Sequence, residues 1–429
     1  MILEKFGFIT EKDSSIIFDK NSIEFYSISE SDKDLLIKFN NNENLTYEEL
    51  EKIKEILPEK ESIEHKNVNV YSNIENLKII ISKKCNLSCK YCYEGNIDSE
   101  SDGLMSKEQA IKIAERINRL FPRLKTVLFF GGEPLLNIDA IEVFCENLKN
   151  KKDIEFLMQT NGTIYTEKIK NIIENNNILV TVSLDGPKEI NDANRVFPND
   201  KGSYEIVVDN VKKFNKDREN IISIQSTYTK HAEKICSREE IKSFINNELG
   251  IIHIHLEDNL FEKLNKDNSK LSFDVLMEQL EIEDYVSLGE YGRILKSIVS
   301  KTVNEKFCTA GYKQLTIDPR GDIWPCPMYM SIDDNYGNVF LENIEQKLED
   351  FYNYNEKQNR EECKNCIANF WCIKCIGKYS INTENTPYDN CKENINKTEE
   401  VVTWLSKIIE KGEYNNFLDY YKKYNIEDI

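Results

Sequence analysis

The sequence predicts an α/β protein: a partial (β/α)6 TIM-like barrel with a small domain before it and a cysteine-rich region after it. Three observations carry this. Near-continuous apolar runs at 77–82, 126–130, 154–159, 178–184, 221–228 and 251–256 alternate with helical patterns at 106–120, 138–150, 166–176, 204–216 and 238–248. Strands apolar on both faces and separated by helices belong to a covered parallel sheet. Polar or glycine-containing loops follow the strands, where barrels place their chemistry. Cysteines are absent from residues 1–84 and concentrate in 85–92 and 308–391.

Composition narrows the function classes. A chain of 429 residues has room for two to four domains at about 150 residues each. With 56 basic and 75 acidic residues its net charge is −19, which disfavours nucleic acid and anionic membranes as partners. No apolar run of about 18 residues is present, so no membrane span is expected. The start, MILEKFGFIT, lacks a basic region leading into an apolar stretch, so a cytoplasmic location is expected. Twelve cysteines there point to metal or redox chemistry rather than disulfides.

The elements follow in order. Residues 1–74 form the first domain. Strands at 15–18 and 22–28 flank the turn-like Asp19-Lys20-Asn21. Ser31 is expected to cap a helix carrying Leu35, Leu36 and Phe39. Thr46-Tyr47-Glu48-Glu49 is a capping box opening a helix with Leu50, Ile53 and Leu57, stopped by Pro58. A hairpin followed by short helices resembles a winged-helix module. Residues 75–304 hold the barrel, with 258–304 as a helical bridge. Residues 305–400 are cysteine-rich and loop-rich, and 401–429 complete a helical stretch at 399–411 and a polar tail.

The sharpest chemical signal follows the first barrel strand: Cys85-Asn86-Leu87-Ser88-Cys89-Lys90-Tyr91-Cys92. Three thiolates at this spacing suit three irons of a cubane cluster and leave the fourth open. Soft thiolates select iron–sulfur or zinc. Zinc would want a fourth ligand, and none lies nearby in sequence.

Cys85, Cys89 and Cys92, with Tyr91 before the last, resemble the motif of radical S-adenosylmethionine enzymes. Gly131-Gly132-Glu133-Pro134, Thr160-Asn161-Gly162 and Ser183-Leu184-Asp185-Gly186-Pro187 stand at successive strand ends in that family's order. The resemblance covers about 220 residues of βα pattern. It implies bound S-adenosylmethionine and its reductive cleavage to a 5′-deoxyadenosyl radical. It also implies that Gly131, Gly132 and Pro134 bring backbone close to the methionine moiety. Glu133 would accept from its amino group, and Ser183 or Asp185 would contact polar groups. Arg195 would pair with its carboxylate, and Tyr91, Thr160 and Asn161 belong to the same binding set.

The second cysteine field reads Cys308, Cys326, Cys363-x2-Cys366-x5-Cys372-x2-Cys375 and Cys391. Taken alone, paired CxxC also suits zinc ribbons. Behind this core it resembles the SPASM extension of peptide-modifying radical enzymes. That extension carries two auxiliary [4Fe–4S] clusters, making three in all. By that resemblance Cys363, Cys366, Cys372 and Cys391 ligate an outer cluster and Cys308, Cys326 and Cys375 an inner one. The family's pattern has three residues before the last cysteine of the run, whereas here Ile373-Lys374 are two. No cysteine lies in 310–317 to complete the inner set, so one iron would be open to a substrate thiolate.

Other residues have plainer readings. Cys145 sits among apolar helical positions and reads as a buried small hydrophobe. His253 and His255 share a strand face and would either line the barrel as a base or pack structurally. Trp324, Tyr329, Phe370 and Trp371 would shield clusters, and Asp318 and Asp322 flank Gly321 as turn residues.

The first domain resembles the leader-recognition module of ribosomal-peptide maturases, in which a peptide adds a strand to the module's edge. Ile23, Phe25, Ile28 and the helix 31–39 would frame that groove. The whole resemblance implies a maturase of a Cys-containing ribosomal precursor peptide, with a ferredoxin or flavodoxin as electron donor. Its product would be a thioether crosslink, formed by a thiolate on the inner cluster. Carbon–carbon crosslinking and formylglycine formation by an anaerobic sulfatase-type maturase are the alternatives, and a non-catalytic metal scaffold is the contrasting class. The family aspartate after the cysteine equivalent to Cys326 is replaced here by Pro327, which counts against formylglycine formation.

Overall fold

The computed structural model describes residues 2–3, 7–9, 16–56, 73–92, 103–148, 154–215, 222–259, 290–332, 335–341, 352–353, 355–377 and 391–425. The N-terminal unit is an antiparallel sheet in the order β1 (Ile2–Leu3), β2 (Gly7–Ile9), β3 (Ile16–Asp19), β4 (Glu24–Ser27). Two helices follow, α1 (Glu30–Asn40) and α2 (Tyr47–Ile56). The expected hairpin is β3–β4, and β1 and β2 extend it. Its turn is held by Asp19, which accepts from the Asn21 amide at 2.8 Å and the Ser22 hydroxyl at 2.7 Å.

The cap of α1 is Ser29, not Ser31. The Ser29 hydroxyl accepts from the Asp32 amide at 3.2 Å, and the Asp32 carboxylate accepts in return from the Ser29 amide. Ser31 already lies in the first turn. For α2, Thr46 and Glu49 form the reciprocal pair that the sequence predicts, at 3.2 and 2.8 Å. Leu57 and Pro58 fall outside the described residues.

Strand alternation then splits this unit between two cores. Ile17 points to a small local core with Ile28, Leu35, Leu36 and Ile53. Phe18 points the other way, into a core built from the C-terminal part of the chain.

The barrel sheet contains β5 (Asn76–Ser82), β6 (Thr126–Gly131), β7 (Glu155–Thr160), β8 (Leu179–Ser183), β9 (Ile222–Tyr228) and β10 (Ile254–Asp258), each parallel to the next. Covering helices are α3 (Lys107–Leu120), α4 (Ile138–Leu148), α5 (Glu167–Asn175), α6 (Lys188–Asn194), α7 (Tyr204–Asn215), α8 (Lys230–Glu233) and α9 (Arg238–Leu249). Leu77, Ile79, Val127, Phe129, Phe156, Met158, Val180 and Val182 face these helices and form the main core. The alternate positions face the barrel interior.

The cysteine-rich region is not separate from this sheet. Its hairpin, β11 (Gln314–Ile317) and β12 (Ile323–Trp324), extends the barrel. β11 runs parallel to β5 in the register Thr316 to Lys78, and β12 returns antiparallel. Among the described residues the remaining helices are α10 (Glu290–Val299), α11 (Glu361–Lys364), α12 (Cys391–Glu410) and α13 (Tyr414–Asn425); of the bridge expected at 258–304, residues 260–289 lie outside the described residues. Thus the last long helix starts at Cys391 rather than near 399, and most of the expected polar tail is α13. In α13, Tyr414, Phe417, Leu418 and Tyr421 supply apolar contacts despite the polar residues between them. No helix among the described residues is long and apolar enough to cross a membrane.

Candidate functional site

The loop Cys85–Cys92 lies at the C-terminal end of β5 and is tied to its neighbours by hydrogen bonds. The Ser88 amide donates to Val196 O at 2.7 Å and the Lys90 amide to Asn194 O at 3.0 Å. Asn86 Nδ2 donates to Thr163 Oγ1 at 2.8 Å. Asn161 Nδ2 donates to Asn86 Oδ1 at 2.9 Å and lies 3.6 Å from Cys85 Sγ. This loop is therefore docked to the ends of β7 and α6 by the chain itself.

Two buried carboxylates join the strand ends. Glu133 lies after β6. Its Oε1 accepts from the Leu135 amide at 2.9 Å and the Thr160 hydroxyl at 2.6 Å, and its Oε2 from the Asn161 amide at 2.7 Å. Burial pushes its carboxyl up to about 7 against these donors. Asp185 lies after β8 and accepts from Tyr91 Oη at 2.5 Å, Arg195 Nε at 3.0 Å and the Thr227 amide at 3.0 Å. Desolvation opposes the Arg195 charge, but Asp185 outweighs it, so the guanidinium stays protonated. Arg195 also stacks 5.3 Å from the centre of the Tyr91 ring.

Glu133 and Asp185 each accept from protein donors, and both side chains are enclosed. Gly131 and Gly132 serve a close approach of backbone to backbone. A Cβ at Gly131, where φ is +127°, would stand 2.2 Å from Ser82 O, and one at Gly132 would stand 2.5 Å from Lys84 O. The Gly132 amide donates to Ser82 O at 2.7 Å and the Glu133 amide to Lys84 O at 2.9 Å. Pro134 opens a short 3-10 turn, and Thr160, Asn161 and Ser183 are buried at the same strand ends. Asn86, Thr163 and Thr227 belong to this network and were not singled out from sequence. Only the position of Asn86 inside the cysteine loop pointed towards it.

The second cysteine field forms two groups. Cys363, Cys366, Cys372 and Cys391 line one cavity of about 180 Å³, with Phe307, Lys357, Lys374 and Asn394 around them. Cys308, Cys326 and Cys375 stand close enough for their charges to act on one another. An apolar cluster of Phe307, Trp324, Tyr329, Met330 and Ile376 packs against Cys308 and Cys326 and reaches Ile80 and Phe130 of the barrel, while Cys375 is exposed. Desolvation raises the Cys89 and Cys363 thiols to about 11 and Cys326 to about 12.

The donors fit iron–sulfur clusters. A four-iron cluster needs soft thiolates spread over the corners of a cube. Among the described residues, no three His, Cys, Asp or Glu side chains gather tightly enough for a single ion. Four thiols around a roomy cavity match the wider arrangement.

The other sequence candidates lie elsewhere. Cys145 is buried within α4, as its apolar neighbours predict, and Cys236 borders the main core. His253 and His255 are exposed, so neither packs in the core. Asp318 accepts turn amides from Arg320 and Asp322, as a turn residue would, but it is also fully buried and ion-paired with Lys83 at 2.8 Å. Trp324 and Tyr329 pack beside the three-thiol group, and Phe370 and Trp371 beside Cys366 and Cys372. Ile23 and Ile28 are buried in two different cores, and Phe25 packs on Tyr414. These residues do not frame an open peptide groove.

Comparison with known proteins agrees with this architecture. Residues 79–224 match the family model described as the radical SAM superfamily. The chain is 26% identical over 343 residues to a radical SAM cyclopropyl synthase, TigE, of Paramaledivibacter caminithermalis, covering 71% of this chain and 69% of that protein. It is 29% identical to a cysteine-type anaerobic sulfatase-maturating enzyme of Clostridium novyi, covering 66% and 83%. Its fold resembles native anSMEcpe with bound AdoMet, with TM-score 0.57, 21% identity, and 80% and 99% of the two chains covered. It also resembles Streptococcus suis SuiB bound to precursor peptide SuiA, with TM-score 0.50, 18% identity and 90% and 97% covered.

Proposed function

Residues 79–224 form a radical SAM domain within an enzyme, and from this premise we propose that the protein is a peptide maturase. It would install thioether crosslinks in a Cys-containing ribosomal precursor peptide. The observation that carries this reading is the three-thiol group of Cys308, Cys326 and Cys375 set against the barrel through Ile80 and Phe130. No cysteine lies between Cys308 and Cys326 in the sequence to add a fourth thiol. A substrate thiolate could complete it.

Cys85, Cys89 and Cys92 would hold the cluster that binds S-adenosylmethionine. When bound, this pair supplies a 5′-deoxyadenosyl radical that takes a hydrogen atom from the peptide. The chain's own work is binding and positioning. Tyr91, Gly131, Gly132, Pro134, Thr160, Asn161 and Ser183 would shape the pocket. The second lone pair of Glu133 Oε2 would meet the amino group of the methionine moiety. Arg195, fixed by Asp185, would neutralise its carboxylate. Cys363, Cys366, Cys372 and Cys391 would hold the outer auxiliary cluster. The N-terminal unit would receive the leader, although not through Ile23, Phe25 and Ile28. A flavodoxin or ferredoxin would supply the electron, in the cytoplasm.

A second reading is formylglycine formation, favoured by the 29% identity to the sulfatase-maturating enzyme. The test is anaerobic co-expression with a short Cys-rich reading frame adjacent to the gene, followed by alkylation and mass spectrometry of the peptide. Loss of two hydrogens with a thiol that no longer alkylates, even after reduction, supports the thioether. Loss of two hydrogens with all thiols alkylated moves the bond to carbon–carbon. Replacement of a cysteine's sulfur by oxygen together with loss of two hydrogens supports formylglycine.

A further inference from the structure

We propose that Lys20, Lys357 and Lys374 form a cationic collar that equips the Cys363, Cys366, Cys372 and Cys391 cavity to take up an electron. The N-terminal unit, through Lys20, is then part of that site. This rests on reading the cavity as an iron–sulfur site.

All three lysines are buried, with 4%, 1% and 8% of their surface exposed. Lysine is almost never this enclosed without an anion nearby. Lys357 and Lys374 line the cavity from the stretch before α11 and the loop between Cys372 and Cys375, together with the exposed Glu362, while Lys20, in the turn after β3, acts on Cys366 from outside the lining. Lys374 Nζ lies 2.9 Å from Cys391 Sγ. Lys357 lines the cavity, donates to Asn369 O at 2.6 Å, and its charge bears on Cys372, Cys363 and Cys366. Lys20 donates to Lys364 O at 3.1 Å, and its charge bears on Cys366. Asn394 Nδ2 adds a hydrogen bond to Cys372 Sγ at 3.2 Å.

A four-iron cluster with four thiolates carries a net charge of about two minus when oxidised and about three minus after one electron is added. In a buried pocket the added charge is the costly one. Fixed cations and N–H donors to sulfur stabilise it more than the oxidised form, so they raise the reduction potential. The three-thiol group has a different setting. Lys78 bears on Cys326 there, while Trp324, Tyr329, Met330 and Ile376 supply an apolar wall. Nearby Lys306 is already paired with Glu356 at 2.6 Å.

The test uses the full chain with Cys85, Cys89 and Cys92 replaced by Ala, so that only the auxiliary signals remain. The chain is reconstituted anaerobically with iron and sulfide. Each signal is then followed by electron paramagnetic resonance during titration with a low-potential chemical reductant. K374M and K357M should keep their iron and sulfide content. At fixed potential, the reduced-to-oxidised ratio of the outer cluster should fall at least tenfold, which is 59 mV for a one-electron couple. K20M should shift it in the same direction by less. K374R and K357R should behave like the parent. Unmoved midpoints in all three Met variants, or equal shifts in the Arg variants, would overturn the collar. If a Met variant loses its iron, the Arg variant decides: a cluster retained at the parental midpoint supports the proposal, and loss in both refutes it. A parent chain that takes up zinc instead of iron refutes the iron–sulfur reading and the collar with it, before any lysine is changed.

Discussion

Glu133 shows how one side chain can hold two strand ends together. Its carboxyl, pushed up to about 7, lies above the unfolded range of about 4.3. The folded state therefore binds this proton more tightly. The stability this group contributes is fully present below about pH 4, falls as pH rises to about 7, and is constant beyond. Glu133→Gln should remove that slope from the cluster-free protein's denaturation profile. It should also cost about 1–3 kcal/mol, since an amide cannot accept from Leu135, Thr160 and Asn161 together. Gly131→Ala should cost about 1–3 kcal/mol or more in the same assay, because its Cβ meets the fixed oxygen of Ser82 at positive φ. The motif Gly131-Gly132-Glu133-Pro134 was legible from residue types and spacing. That its atoms are answered by Ser82, Lys84, Thr160 and Asn161 was not, because those partners meet only through the sheet.

Among the elements, the six barrel strands were legible because each is a near-continuous apolar run, as a sheet covered on both faces requires. β1, β2, β11 and β12 were not, being two to four residues long with partners set by tertiary contact. The start of α1 was placed two residues late because Ser29 and Ser31 are equally good caps in sequence, and only the reciprocal bond with Asp32 separates them. Ser29→Ala should therefore cost about 1 kcal/mol of stability in urea denaturation, whereas Ser31→Ala should be nearly neutral. Equal losses would place the cap elsewhere. α13 escaped notice because Asn, Lys and Asp dilute its apolar stripe, which is fully used once it packs on α12.

Across the whole molecule, the sequence divided the chain into successive domains, yet the cores do not respect that division. Phe18 of the N-terminal unit meets Phe25 in a tilted contact at 5.0 Å and Phe370 edge-on at 5.6 Å, and Phe25 meets Tyr414 at 6.1 Å. The first unit and the last two helices thus share one apolar interior with Trp371, whose indole donates to Thr398 at 2.8 Å. Phe18→Ala should cost about 3–5 kcal/mol. It should also raise amide hydrogen exchange in α12 and α13 together with β3, whereas loosening of β3 alone would mean that the units are independent. Such long-range closure leaves no local signature in a sequence, since Phe18 and Tyr414 read as ordinary hairpin and tail residues.

This closure bears on biosynthesis. Phe18 leaves the ribosome long before Phe417, and at about 5–20 residues per second the interval is about 20–80 s. For most of it, the aromatic face of the nascent hairpin lacks its C-terminal partners and is a natural client for a chaperone. The Cys363 to Cys391 cavity cannot form until Cys391 has emerged, about 1–5 s before Phe417 at the same rate, so metal delivery and the meeting of the two ends of the chain fall close together.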